Sequence, residues 1–78
     1  MKKGQELSQA QIWEKISDNL RREIELSSKS KSQIAKELGI SPSSVSQYCA
    51  GTIQPSLSTF ALLCRVLDIL PEDVLDVW

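Results

Sequence analysis

The chain has 78 residues, of which 41% are hydrophobic and 24% are charged, and its net charge is −1. This length suits one domain with a core near the minimum for independent folding, and no apolar run reaches the roughly 18 residues that a membrane span needs. The N-terminal sequence MKKGQELSQ also lacks the apolar stretch of a signal peptide. We therefore expect a single domain over residues 1–78 that is cytoplasmic and has no membrane partner.

The hydrophobic pattern predicts five helices and no strand, and the first helix spans about 9–26. Ser8 and Gln11 have the spacing of a capping box. Apolar residues then recur every four positions, at Ile12, Ile16, Leu20 and Ile24. Ser30 and Gln33 repeat the capping-box spacing, so the second helix is expected at about 31–38, ending at Gly39.

The third helix is expected from Pro42 to about residue 50, because Ser41 can cap it and Gly51 can end it. Ser56 begins a fourth helix at about 57–67. Pro71 begins a short fifth helix at 71–77, with two acidic residues in its first turn.

The side chains that most enzymes and metal sites need are missing from the sequence. It contains no histidine, no GxSxG motif and no phosphate-binding loop. Its two cysteines, Cys49 and Cys64, lie in apolar helical patterns, so we interpret them as buried reduced thiols. We expect no enzyme activity, no metal and no cofactor.

Two short helices joined by a three-residue turn that contains glycine form the minimal helix-turn-helix, here over residues 30–51. The segment from Ser30 to Leu75 resembles the Cro and phage-repressor-like (XRE-type) family in its Ile-Ala pair, its Gly-Ile-Ser turn and its Gly-x-x-x-Pro loop. This resemblance implies an all-α, compact five-helix fold of the lambda-repressor type. It also implies that double-stranded DNA is the partner.

The exposed face expected for the third helix carries no charge. Small hydroxyl and amide groups can enter the major groove and bond to base edges. Together with the resemblance, this predicts base contacts from Pro42, Ser43, Ser46 and Gln47. Phosphate contacts are expected on either side, from Lys31, Ser44, Thr52, Gln54 and Ser56.

The sequence departs from the family pattern at four positions. Ile24 and Cys49 stand where members often have a buried Arg–Glu ion pair, which suggests that an apolar contact replaces it. Lys29 stands where an apolar residue is usual, and Asp68 stands where a glycine usually ends the fourth helix.

Two functions are compatible with these patterns. One is a sequence-specific transcriptional regulator, a repressor that binds an inverted repeat as a homodimer. The other is a protein-interaction module, such as an antitoxin-like partner of another protein, in which DNA binding is secondary or lost. The net charge of −1 does not exclude nucleic acid, because residues 1–39 hold eight Lys or Arg against six acids and a local basic rim matters more than the total.

The fourth helix has a second apolar stripe that a small monomer would not be expected to bury. We predict that this stripe and the C-terminus form a dimer interface. Its expected members are Leu62, Val66, Leu70, Val77 and Trp78. Alternatively, the N-terminal part of the first helix, with Trp13, folds over the stripe within one chain.

Overall fold

The computed structural model describes residues 6–78, and within this part of the chain all regular structure is helical. The helices are α1 (Gln9–Leu26), α2 (Lys31–Leu38), α3 (Pro42–Ala50), α4 (Leu57–Leu67) and α5 (Glu72–Leu75). The expected all-α five-helix fold is confirmed. None of the helices is long and apolar enough to cross a membrane.

A serine caps the N-terminus of each of the first four helices. Each serine side chain accepts a hydrogen bond from the backbone N–H three residues later. The Ser8–Gln11 capping box is complete. The box predicted at Ser30 is only half formed, because the Gln33 amide donates to Glu37 Oε2 at 2.7 Å instead of reaching back to the cap.

Helices α2, α3 and α4 each end on a residue in the left-handed conformation. These residues are Gly39 (φ 73°), Gly51 (φ 76°) and Asp68 (φ 56°). In each case the next backbone N–H bonds to a carbonyl five residues earlier, as in a Schellman motif. Asp68 can replace the usual glycine because aspartate tolerates this conformation better than most side chains do.

The core lies where α3 packs against α1 and α2, with α4 and α5 closing the remaining sides. Ile24 and Cys49, which stand in place of the family's ion pair, are both buried in this core. Two buried apolar side chains therefore stand where the family often has two charges. Leu20, Ile34, Val45, Leu63 and Val74 are the largest side chains that are fully buried.

The fifth helix is shorter than the sequence predicted, because it ends at Leu75 and not at residue 77. The backbone of Asp76 leaves the helical conformation, and Val77 then turns inward until only 8% of its surface is exposed. Burial of Val77 in the monomer is the physical reason for the early end. The expectation that Val77 adds to an exposed apolar surface is therefore wrong.

The second stripe of α4 is only partly covered. Leu62 is 40% exposed and Leu70 is 60% exposed, whereas Val66 packs against the core. Trp78 is 89% exposed. Trp13 does not cover the stripe as the alternative supposed, because its indole N–H is bonded to Gly51 at the end of α3.

Candidate nucleic-acid interface

Helix α3 has one buried face and one exposed, uncharged face. Val45, Tyr48 and Cys49 point into the core. Ser43 and Gln47 lie one turn apart on the other side, with Ser46 beside them and Pro42 at the helix start, and all four are exposed. The predicted base-contacting residues therefore share one accessible surface.

The hydroxyl of Ser41 organises the N-terminus of α3. It accepts from the Ser44 backbone N–H at 3.3 Å and lies 3.0 Å from each of the Ser43 and Ser44 hydroxyl oxygens. These contacts hold the hydroxyls in place. A serine hydroxyl has one donor and two acceptor sites, so Ser43 keeps capacity for a further hydrogen bond.

The Gln47 side chain is exposed and makes no hydrogen bond within residues 6–78, which leaves its amide able to bond elsewhere. The backbone carbonyl of Gln47, by contrast, is occupied. It accepts from the Thr52 backbone N–H at 3.1 Å and from the Thr52 hydroxyl at 3.3 Å. The loop after α3 is thereby tied to the last turns of the helix.

The other predicted phosphate-binding groups lie in this loop and at two helix starts. Thr52 and Gln54 are exposed in the loop, and Ser56 caps α4 by accepting from the Thr59 backbone N–H at 3.2 Å. Lys31 is the exposed first residue of α2, and it has no acidic partner within 4.0 Å in the described part of the chain.

Lys31 begins α2, the helix that packs against α3. Burial raises the pKa of the Cys49 thiol on the buried face of α3, and the positive charge of Lys31 acts in the opposite direction.

Lys29 has a structural role that sequence reasoning missed. Its Nζ donates to the Val66 carbonyl at the end of α4 and to Glu37 Oε1 in α2, both at 2.8 Å. A cation at a helix C-terminus is favoured by the macrodipole and satisfies a free carbonyl. The sequence hinted at this role because Lys29 stands where the family usually has an apolar residue. It did not identify the partner, Val66, which is 37 residues away.

No group of three or more metal-binding side chains occurs in residues 6–78. The two cysteines are buried as free thiols, and burial raises the pKa of each. Thiols held in the protonated form are poor nucleophiles and poor metal ligands. The chemistry available at the exposed face of α3 is hydrogen bonding.

Comparison with known proteins agrees with this geometry. A solved structure of the SOS-response transcriptional repressor LexA from Eubacterium rectale is similar, with 28% sequence identity and a TM-score of 0.73. The similarity covers 82% of this chain and 68% of that one. No curated protein matches the chain. A family model described as helix-turn-helix matches residues 20–75, and the chain therefore belongs to the XRE-type helix-turn-helix family.

Proposed function

We propose that this protein is a sequence-specific DNA-binding transcriptional regulator that inserts α3 into the major groove. The observation that carries the proposal is the exposed, uncharged face of α3, with the Gln47 amide available and Lys31 at the adjacent helix start. An amide can bond bidentately to adenine, and serine hydroxyls can bond to several bases. Pro42 adds an apolar contact at the helix start.

The phosphate contacts come from groups on both sides of α3. Lys31 supplies a charge, whereas Ser44, Thr52, Gln54 and Ser56 supply neutral donors. Contacts of this kind fix the register in which the bases are read. Ser56 also stands before the free N–H groups of α4, which favour an anion.

We further propose that the protein acts as a repressor and binds an inverted repeat as a homodimer. Repression is the activity named for the similar LexA structure. Leu62, Leu70 and Trp78 are exposed apolar side chains that a second copy could cover, and the fourth predicted member, Val66, packs partly against the core. A two-fold axis there would set two recognition helices about 34 Å apart, one turn of DNA.

The decisive experiment selects duplexes from a random-sequence library with the full chain and then measures affinity for the selected site by fluorescence anisotropy. Gln47→Ala should weaken binding to that site by about 1–3 kcal/mol and relax the preference at one base pair per half-site. Binding to random duplex should barely change. Gln9→Ala, an exposed glutamine at the start of α1, is the matched control and should behave as wild type.

Three results would count against parts of this proposal. An equal loss of specific and random-sequence binding would make Gln47 a positioning residue and not a base reader. Failure to select any sequence, at both low and high salt, would favour the antitoxin-like protein-interaction module. Binding to an isolated half-site as tight as binding to the inverted repeat would argue against the homodimer.

A further inference from the structure

The first half of α1, residues 9–19, lies outside the segment that matches the family model, yet it contacts the end of the recognition helix. The indole Nε1 of Trp13 donates to the Gly51 carbonyl at 2.8 Å, across 38 residues of sequence. Gly51 is the residue that ends α3 in the left-handed conformation.

The backbone of Gly51 also packs closely against the side chain of Ser17 in α1. A Cβ atom placed on Gly51 would lie 3.0 Å from the Ser17 hydroxyl oxygen and 3.4 Å from its Cβ. Ser17 is buried, and its hydroxyl donates to the Glu14 carbonyl within α1. The surface of α1 at this point therefore combines a donor for the Gly51 carbonyl with a small side chain that lets the backbone approach.

This contact fixes the peptide that leads into the loop after α3. The Gly51 carbonyl belongs to the same planar unit as the Thr52 N–H. In that plane the N–H points away from the carbonyl, and the Thr52 N–H bonds to the Gln47 carbonyl at 3.1 Å. Trp13 therefore holds one end of the peptide and α3 holds the other, which sets the direction in which the loop begins.

We propose that Trp13 and Ser17 are positioning residues for DNA binding, which orient the loop that carries Thr52 and Gln54. The inference rests on the proposed function, because that function places Thr52 and Gln54 at the phosphates. Neither Trp13 nor Ser17 touches DNA in this scheme. Their effect reaches the DNA through the Gly51–Thr52 peptide.

The test compares Trp13→Phe, which keeps an aromatic ring and loses the donor, with Ser8→Ala, which loses the α1 cap without touching α3. Each variant is the full chain, and affinity for the selected site is measured at a temperature where it is fully folded. Trp13→Phe should weaken specific binding about 3- to 10-fold, the effect of one hydrogen bond. Ser8→Ala should lower the melting temperature but change affinity less than twofold.

Amide hydrogen exchange provides a readout that does not depend on DNA. The Thr52 N–H should exchange faster in Trp13→Phe and at the wild-type rate in Ser8→Ala. If Trp13→Phe fails to fold, chemical synthesis can replace the indole by benzothiophene, which keeps the shape and removes the N–H.

The outcomes separate the two proposals. A wild-type chain that selects no DNA sequence overturns the proposed function. A wild type that binds specifically, with Trp13→Phe no weaker in affinity than Ser8→Ala and no faster in Thr52 exchange, overturns the positioning role.

Discussion

Replacement of Gly51 by alanine should destabilise the protein more than the same replacement at Gly39, although both glycines end a helix at nearly the same φ. The two angles are 76° and 73°, so the backbone strain imposed on alanine is the same at both sites. The surroundings differ, because an added Cβ at Gly39 meets no atom within 4 Å. At Gly51 it meets Ser17 at 3.0 Å.

The expected magnitudes follow from these contacts. An alanine in the left-handed region costs about 1–2 kcal/mol, and the stiffer unfolded chain offsets about 0.4–1 kcal/mol of this. Gly39→Ala should therefore lose about 1 kcal/mol of unfolding free energy. Gly51→Ala adds an overpacking cost of about 1–3 kcal/mol, because α1 must shift. Its total loss should be about 2–4 kcal/mol.

Urea unfolding at 25 °C, followed by circular dichroism, measures both losses in a domain small enough for two-state analysis. The double variant Ser17→Ala, Gly51→Ala removes the hydroxyl at 3.0 Å and should recover about 1 kcal/mol relative to Gly51→Ala. Equal losses for Gly39→Ala and Gly51→Ala, within about 0.5 kcal/mol, would refute the close packing of α1 on the end of α3.

Three further predictions concern the Lys29–Glu37 ion pair, the proposed dimer and the core. Hydrogen bonds from Lys29 and Gln33 lower the pKa of Glu37 in the folded protein. The ionised Glu37 therefore contributes to stability above about pH 4.5, the ordinary pKa of glutamate. This contribution is lost as the pH falls through the lowered pKa of the folded state. The difference in melting temperature between wild type and Glu37→Gln should therefore shrink from pH 6 to pH 3, and a constant difference would contradict this. If the protein is the proposed homodimer, Leu62→Glu should sediment as a folded monomer at tens of micromolar, whereas a monomeric wild type would exclude the dimer. Leu63→Ala, at a fully buried position, should cost about 2–5 kcal/mol in urea unfolding, and a loss below about 1 kcal/mol would contradict its place in the core.

The boundaries of α1 to α4 were predictable because their signals are local. Ser41 and Ser56 cap helices through groups three residues away, and Gly39 ends α2 through the carbonyls of its own last turn. Such signals need no knowledge of the tertiary structure. The exposed face of α3 was equally predictable, since buried and exposed residues along this helix follow the helical period.

The features that sequence reasoning missed all depend on distant contacts. The bond from Trp13 to Gly51 joins residues 38 apart, and the bond from Lys29 to Val66 joins residues 37 apart. The early end of α5 is a third example, because Val77 leaves the helix and becomes buried. Local propensity carries no information about which carbonyl a tryptophan or lysine will reach.

The distribution of ion pairs limits how much of the proposed DNA affinity can come from charge. In the described part of the chain, Arg21 lies 3.3 Å from Asp18, Arg22 lies 3.5 Å from Glu23, and Lys29 is held by Glu37. Surface pairs of this kind are weak and can exchange partners, but each one reduces the positive potential that phosphates meet. Among the predicted phosphate-binding residues, Lys31 is the only cation.

Binding should therefore depend on salt less steeply than is usual for a basic regulator. Each phosphate neutralised contributes a slope of about −0.9 to log K against log salt, so Lys31→Ala should reduce the slope by about one unit per half-site and lower the affinity for every sequence. Lys15→Ala removes an exposed charge that lies with Asp76 and Trp78, on a different face of α1 from Trp13 and Ser17. This variant is the matched control and should leave the slope unchanged. If Lys31→Ala leaves the slope unchanged as well, Lys31 does not meet a phosphate. The neutral donors of the loop after α3 and of α4 would then carry the phosphate contacts predicted for this site.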